Sequence, residues 1–113
     1  MSMFSALAEP TRRSIVELLA TSGQMTASAI CREFPATPSA ISQHLKILRQ
    51  AGLVTVEKQA QKRLYRINVD TLQELETWVQ RLHALWNARY DQLDQILKAQ
   101  KTPGQAESDK DEE

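Results

Sequence analysis

The sequence has 113 residues, of which 42% are hydrophobic, with 14 basic residues, 14 acidic residues and a single cysteine. This length allows one domain, or one domain with a tail, and excludes two separate cores. No apolar run approaches the roughly 18 residues of a membrane-spanning helix, and the N-terminus lacks a basic region followed by a long apolar stretch. We therefore expect a cytoplasmic protein without a membrane partner. The lone Cys31 excludes an internal disulfide framework and fits a reducing compartment.

The net charge of zero is a cancellation between two halves of the chain. Residues 1–69 carry nine basic and four acidic residues, a net charge of +5, whereas residues 70–113 carry five basic and ten acidic residues, a net charge of −5. The asymmetry predicts a basic binding surface in the first half. Residues 102–113 contain five acids, one lysine and almost no apolar side chain, so we predict an acidic, disordered tail over residues 101–113.

Three helices are predicted in the first half from their start and stop signals, which are proline or a capping side chain at the start and glycine or proline at the end. The start signals are Pro10, Thr26 and Thr37–Pro38, and the stop signals are Gly23, Pro35 and Gly52. The residues predicted to face inward are Ile15, Val16, Leu18 and Leu19 in the first helix and Ala29, Ile30 and Phe34 in the second.

The third helix has two chemically different faces. Ile41, Leu45 and Leu48 recur at helical spacing and predict a buried stripe. The opposite face is polar and contains no acid; it consists of Ser39, Ser42, Gln43, Lys46 and Gln50. Such a face suits the major groove of DNA, because Gln can bond adenine in a bidentate fashion while Ser and Lys reach base edges or phosphates. The alternative is an ordinary solvated helix face.

After Gly52 the pattern changes from helix to strand. The segments 53–57 and 63–67 are rich in β-branched and aromatic residues and predict a β-hairpin, joined by a polar loop over 58–62. Which of its side chains face inward stays open. The tip is basic, so in a DNA complex we expect it along the neighbouring backbone or minor groove. The predicted DNA-contacting residues are Thr37, Ser39, Ala40, Ser42, Gln43, His44 and Lys46 on the third helix and Lys58, Lys62 and Arg63 in the hairpin.

His44 has two interpretations. It lies about 60° from the centre of the buried stripe, given 100° per residue of a helix. We favour a partly buried side chain with one structural hydrogen bond, and contact with a DNA phosphate is the alternative.

A long last helix is predicted from Asp70, with Gln73 as its capping-box partner, to about Gln100. Its apolar residues follow a 3-4-3-4 spacing that continues beyond what a small domain needs for its own core, which predicts a dimer interface. Arg89 falls within this seam, with Asp91 or Asp94 of a second subunit as a possible partner. The predicted interface residues are Leu72, Leu75, Val79, Leu82, Trp86, Leu93 and Ile96. The alternative is packing on the helix's own domain.

These elements predict a mainly α, winged helix-turn-helix fold over residues 1–100, with a two-stranded hairpin wing and a long C-terminal dimerisation helix. Segments 7–19, 39–54 and 62–67 together resemble the ArsR/SmtB-type winged-helix repressors. The segment from Trp86 to Leu93 is similar to the subgroup often encoded beside SRPBCC proteins, which bind small hydrophobic ligands. The resemblance implies a homodimeric repressor that binds operator DNA through the 37–50 helix and a wing at 59–63.

The sequence departs from the metal-sensing members of that family. They often carry a Cys-x-Cys pair on the helix before the recognition helix, where this chain has Thr26 and Ser28. Their second site uses several ligands on the last helix, where this chain has the single histidine His83. We therefore expect no metal and no cofactor. Cys31 is interpreted as a small buried apolar residue, with a redox switch as the alternative. The wing also has Ala60 where the family usually has glycine, so we expect a longer or differently shaped turn.

Two function classes follow. The first is a homodimeric DNA-binding transcriptional repressor that recognises an inverted-repeat operator. The alternative is a winged-helix module that binds an acidic protein partner through the same basic face. The sequence offers no phosphate-binding loop and no carboxylate pair suited to catalysis, so we do not expect an enzyme. The inducing signal is not encoded in any recognisable motif.

Overall fold

The computed structural model describes residues 2–100, which form five α-helices and three strands. The chain divides into two compact units, Met1–Glu74 and Leu75–Glu113. The predicted acidic tail, residues 101–113, lies outside the described residues, and the assignment of residues 1–100 to one functional domain stays a prediction. The elements are α1 (Met3–Ala8), α2 (Pro10–Ser22), β1 (Met25–Thr26), α3 (Ala27–Arg32), α4 (Pro38–Gln50), β2 (Val54–Gln59), β3 (Lys62–Ile67) and α5 (Val69–Gln100).

The predicted start signals of α2, α3 and α4 are confirmed, and so are the stop signals Gly23 and Gly52. The hydroxyl oxygens of Thr26 and Thr37 accept hydrogen bonds from the backbone N–H groups of Ala29 and Ala40, at 3.2 and 3.1 Å, and so cap α3 and α4. Gly23 and Gly52 follow α2 and α4 with φ of 84° and 81°, a conformation that side chains with a Cβ rarely adopt.

The second helix is shorter than predicted, because α3 ends at Arg32 rather than at Pro35. Phe34 therefore lies in the turn between α3 and α4, where it is half-buried. Ala29 is also half-buried, and Ile30 is the fully buried residue of this helix. All three residues predicted to face inward are thus at least half-buried, although Phe34 lies beyond the end of the helix.

Helix α1 was not predicted from the sequence. Ser2 caps it by accepting a hydrogen bond from the Ser5 N–H, and Ala6 buries it against the core. Its last carbonyl groups, which have no partner within the helix, accept hydrogen bonds from two side chains of α2. The Arg12 Nε donates to the Ala6 carbonyl at 2.8 Å, and the Arg13 Nη1 donates to the Leu7 carbonyl at 2.9 Å. A helix of six residues is too short to show a periodic pattern, and the bonding partners of α1 lie elsewhere in the sequence. For these reasons the sequence alone did not reveal it.

One apolar core joins the elements of the first unit. The predicted stripe of α4 is confirmed, with Ile41, Leu45 and Leu48 each at most 1% exposed. In α2, Ile15 and Leu19 are buried, as predicted. Residues from α1, α3 and the sheet complete this core. The core covers the apolar side of α4, and the opposite side of that helix stays exposed. The buried apolar residues are Ala6, Ile15, Leu19, Ile30, Ile41, Leu45, Leu48, Leu53, Val54 and Tyr65.

The predicted hairpin is present, but its loop is shorter than expected. Gln59 pairs with Lys62 across β2 and β3, so the turn consists of Ala60 and Gln61 alone instead of the five residues 58–62. Ala60 has a φ of 56°, the positive value that the first turn residue of a type II′ hairpin requires and that glycine usually supplies. A third strand, β1, was not predicted. It pairs antiparallel with β3, through Met25 to Tyr65 and Thr26 to Leu64, giving the order β1-β3-β2.

This turn allows a stability test. Ala60→Gly is expected to stabilise the fold by roughly 0.5–1 kcal/mol, because glycine removes the Cβ strain at positive φ while the extra unfolded-state entropy offsets part of the gain. The measurement is the midpoint of urea unfolding of the wild type and of the Ala60→Gly variant. The matched control is Gln61→Gly, beside it in the turn and without positive φ, which should destabilise the fold. A lower midpoint for Ala60→Gly would show that the turn adopts another conformation.

The capping box predicted for α5 is wrong. The helix begins at Val69, so Asp70 lies inside its first turn. Asn68 precedes the helix, and its carbonyl accepts the first bond, from the Leu72 N–H at 3.2 Å. The carbonyl of Gly52 accepts bonds from the Asn68 amide at 3.0 Å and from the Thr71 hydroxyl at 2.8 Å. These bonds fix the start of α5 to the end of α4.

Among residues 2–100, no helix is both long enough and apolar enough to cross a membrane.

Candidate nucleic-acid interface

The outward face of α4 is polar along its whole length. The helix packs with its apolar side on α1, α2, α3 and β2. Its predicted base-reading residues Ser39, Ser42, Gln43 and Lys46 are all exposed, and so is Gln50. No carboxylate lies within 4 Å of Lys46 in the described part of the chain. The arrangement presents hydrogen-bond donors and acceptors on a surface where a phosphate or a base edge meets no like charge.

Two predicted contact residues at the start of α4 have additional structural roles. Thr37 is exposed, and its hydroxyl oxygen caps the helix, which leaves the hydroxyl hydrogen able to donate to a phosphate. Ala40 is half-buried, on the flank of the helix next to the polar face. Its side chain is a single methyl group, which can contact the methyl group of a thymine.

The wing carries a cationic pair. Lys58 on β2 lies directly opposite Arg63 on β3, and both are exposed. Like charges in directly opposed positions destabilise a hairpin, so this pair is an unfavourable arrangement that a bound anion would relieve. Lys62, the first residue of β3, pairs with Gln59 next to the turn and is also exposed. The one acid of the wing, Glu57, accepts a hydrogen bond from the Gln24 amide at 3.5 Å.

His44 is turned toward the protein rather than lying wholly on the exposed face. Its Nδ1 is 3.5 Å from the Arg12 Nη1 and 3.8 Å from a carboxylate oxygen of Glu9, and its side chain is 21% exposed. The same Glu9 oxygen accepts a hydrogen bond from the Arg12 backbone N–H at 2.9 Å and caps α2. That hydrogen bond lowers the pKa of Glu9 below its ordinary value, so the carboxylate stays charged near neutral pH. The geometry agrees with the favoured interpretation, a structural contact.

Not all of the basic residues counted in the first half are available to bind DNA. Arg12 and Arg13 are among the nine basic residues counted there, and both guanidinium groups bond the carbonyls of α1. Arg49, in contrast, is exposed on the last turn of α4 beside Lys46, and the sequence analysis did not assign it to the interface. Arg49 could have been found from the sequence, because it lies three residues after Lys46 and such residues are neighbours on one side of a helix.

The helix α5 carries an apolar stripe. Of the predicted interface residues, Leu75 is half-buried and the others are exposed, with Trp86 at 65%. Neighbouring apolar residues broaden the stripe: Trp78, Leu85, Tyr90 and Leu97. Arg89 is exposed as well. The carboxylate of Asp94 is 3.1 Å from the amine of Lys98 in the same helix. A contiguous exposed apolar stripe on one helix is typical of a protein–protein interaction site.

The described residues hold no group of three or more His, Cys, Asp and Glu side chains arranged for a metal ion. Cys31 is half-buried in α3, with its Sγ 3.8 Å from the Ala36 carbonyl. Cys31 is thus less buried than the small buried apolar residue that we predicted, and its thiol makes one weak hydrogen bond.

Known proteins share this arrangement. A helix-turn-helix domain model matches residues 7–57. The transcriptional repressor SdpR of Bacillus subtilis is 37% identical over 78 residues, which cover 69% of this chain and 86% of that protein. An ArsR-like transcriptional regulator from Rhodococcus sp. RHA1 has a similar structure, with a TM-score of 0.74 and 30% identity, covering 82% of this chain and 87% of that one. The chain belongs to the ArsR-type family of winged-helix transcriptional regulators.

A further similar structure is the homodimeric winged helix-turn-helix DNA-binding domain of Mb0332 from Mycobacterium bovis, which is described as a possible ArsR-family transcriptional regulator. It is 29% identical with a TM-score of 0.58, covering 71% of this chain and 73% of that one. Family membership identifies this protein as a DNA-binding transcriptional regulator and not an enzyme. The family match agrees with the fold, in which α3, the short turn and α4 form the helix-turn-helix and β2–β3 form the wing.

Proposed function

We propose that the protein is a cytoplasmic homodimeric repressor that binds an inverted-repeat operator, with α4 in the major groove and the wing on the flanking backbone or minor groove. The observation that carries the proposal is the acid-free outer face of α4, with Ser39, Gln43 and Lys46 exposed beside one another. A recognition helix contacts base edges mainly through its N-terminal residues, and these lie in the first three turns. The relative SdpR, described as a repressor, supports the direction of regulation.

The apolar stripe of α5 supports a second copy of the chain as the partner of this helix. Its residues are exposed in the single chain, and burying them removes large aliphatic and aromatic side chains from water at about 25 cal/mol per Å². The Mb0332 domain, described as homodimeric, supports the same assembly. In such a dimer Arg89 needs a carboxylate partner. Asp94 already pairs with Lys98, which favours Asp91 of the second copy. Two-fold symmetry then presents two α4 helices roughly 34 Å apart, as an inverted repeat requires.

The experiment is selection of bound sequences from a pool of random duplexes, followed by titration of the selected duplex and a scrambled one at several salt concentrations. We expect an enriched inverted repeat. The predicted contact residues include four cations in each protomer, Lys46, Lys58, Lys62 and Arg63, and therefore eight in a dimer. If all eight neutralise a phosphate, the slope of log K against log salt is roughly −7. Enrichment of no sequence would refute a sequence-specific regulator. Tight binding of an acidic protein with no DNA binding at all would favour the alternative module.

A charge variant in the wing tests the backbone contact. Lys62→Ala is expected to weaken binding to operator and scrambled duplex by the same factor and to reduce the steepness of the salt slope by about 2 for a dimer, because a phosphate contact carries no sequence information. The matched control is Lys98→Ala, which removes a lysine already paired with Asp94 and should leave both affinities unchanged. A loss confined to the operator would instead make Lys62 a base-reading residue.

A further inference from the structure

A polar cavity lies where the wing joins the last helix. Its volume is about 400 Å³, within the range of cavities that hold small ligands. Thr55 of β2 is the register partner of Arg66 of β3, and both residues line the cavity. Asn68 alone connects β3 to α5, so the first turn of α5 also contributes Val69 and Asp70 to the lining. The lining includes no residue of α4 or of the wing tip, and the cavity is therefore separate from the proposed DNA-binding face.

The cavity presents two opposite charges that do not neutralise each other. Arg66 and Asp70 are both exposed, yet their guanidinium and carboxylate groups are more than 4 Å apart, and neither side chain has another ion-pair or hydrogen-bond partner among residues 2–100. Glu57, the acid of the wing, does not line the cavity, and its carboxylate accepts a hydrogen bond from the Gln24 amide. Because a guanidinium binds a carboxylate and a carboxylate binds an ammonium group, the cavity is complementary to a ligand that carries both groups.

Two uncharged polar side chains in the lining add hydrogen-bonding capacity. The amide nitrogen of Asn68 donates to the Gly52 carbonyl at 3.0 Å, which holds the side chain in place. Its side-chain carbonyl is left as an acceptor, the group that an ammonium ion needs. Thr55 is half-buried, and its hydroxyl can donate to a carboxylate or accept from an ammonium group. The cavity can thus satisfy more than the charges of a zwitterion.

A second, mainly apolar cavity adjoins the first one. Its volume is about 360 Å³, and the two cavities share Arg66, Ile67 and Val69. The lining of the second cavity also includes Leu19 of α2 and Leu72, a predicted interface residue. Val69 is 67% exposed, so part of this apolar lining is in contact with water. A ligand whose charged groups occupy the first cavity can place an apolar side chain in the second and remove that surface from water.

We propose that the two cavities together bind a free α-amino acid with a large apolar side chain. Its carboxylate contacts Arg66, its ammonium group contacts Asp70 and the side-chain carbonyl of Asn68, and its side chain packs on Val69. The inference goes beyond the proposed function and does not rest on it, because neither α4 nor the wing tip takes part. Exposed charges attract each other only weakly in water, so we expect a dissociation constant of roughly 0.1–1 mM for L-leucine as the probe.

The experiment is a calorimetric titration of the full chain with L-leucine, L-phenylalanine and three compounds that each lack one part of leucine. Isocaproate lacks the amino group, isoamylamine lacks the carboxylate, and glycine lacks the apolar side chain. We expect each of the three to bind roughly 5- to 10-fold more weakly than L-leucine, because each loses one set of contacts. Equal binding of L-leucine and isocaproate would refute a site for zwitterions. Absence of binding by both L-leucine and L-phenylalanine at about 10 mM would overturn the whole inference.

Paired substitutions assign each charge of the cavity to one group of the ligand. Asp70→Asn should weaken L-leucine binding by roughly 5- to 10-fold without weakening isocaproate binding, since isocaproate has no ammonium group. Arg66→Gln should weaken the binding of both compounds. The matched controls are Glu74→Gln, one turn after Asp70 on α5, and Lys62→Ala, on the same strand as Arg66. Neither control residue lines a cavity, so both variants should bind L-leucine as the wild type does. Equal losses of both compounds in Asp70→Asn would contradict the assignment.

Amide chemical shifts of the wild type locate the ligand without any variant. On addition of L-leucine the largest changes are expected at Thr55, Asn68 and Val69, which line the first cavity. Changes confined to residues outside the two cavities would overturn the inference even if Asp70→Asn were poorly folded. The DNA-binding proposal is tested separately, by selection of duplexes in the absence of amino acid, and it stands or falls on that result alone.

Discussion

Trp86→Asp is expected to convert the protein to monomers. In the single chain Trp86 is 65% exposed and lies within the apolar stripe of α5, so the proposed dimer buries two copies of it. Loss of a buried tryptophan anchor typically costs about 2 kcal/mol or more at an interface, and here the carboxylate must also be desolvated. With one substitution in each protomer the expected loss is at least about 4 kcal/mol, roughly a thousandfold in the dimer dissociation constant. Light scattering across a dilution series measures it.

The matched control places the same charge elsewhere on the same helix. Ala84 is exposed, and two residues of helix separate it from Trp86 by about 160°. Ala84→Asp should remain dimeric, and both variants should retain the helical circular dichroism of the wild type. Operator binding should fall with dimer content, because one recognition helix then meets one half-site. If Trp86→Asp remained a dimer, the stripe of α5 would not be the interface.

Gln43→Ala is expected to weaken operator binding by about 1–3 kcal/mol and to relax selectivity at one base pair of each half-site. Gln43 is exposed on the second turn of α4, and a glutamine there can make two hydrogen bonds to an adenine. Removing both leaves the base edge unpaired in the complex. The measurement is a titration of the operator and of its single-base variants.

Gln50→Ala is the control for this contact. Gln50 lies on the same face of α4, seven residues later and therefore on nearly the same line of the helix, but at its C-terminal end. The N-terminal residues of a recognition helix are those that contact bases, so Gln50→Ala should have a small effect. Equal losses on operator and scrambled duplex for Gln43→Ala would make it a positioning residue without a role in selectivity.

Much of the helical part of the fold was predictable because its signals are local. A threonine cap forms its hydrogen bond three residues away, and a glycine after a helix acts through its own φ, so α2, α3 and α4 could be located from the sequence. The exposed face of α4 follows from the same periodicity that predicts the buried Ile41, Leu45 and Leu48. For this reason the residues that we predict to contact bases could be chosen from the same pattern, as those opposite the buried stripe.

The parts that were missed depend on partners far away in the sequence. The strand β1 has two residues and exists through its pairing with β3, some forty residues later. The wing turn was predicted too long because it lacks glycine, while the pairing of Gln59 with Lys62 requires Ala60 to adopt positive φ. The capping box at Asp70 was wrong because the bonds of Asn68 and Thr71 to Gly52 determine where α5 begins.

The sequence by itself determined the charge separation, the two-faced α4 and the apolar stripe of α5, because composition and periodicity are properties of contiguous residues. Only the tertiary structure decided how those charges are used. It directs Arg12 and Arg13 to the carbonyls of α1 and brings Arg12 to His44 across 32 residues of chain. Contacts between side chains so far apart depend on how the helices pack, and no periodic pattern in the sequence records them.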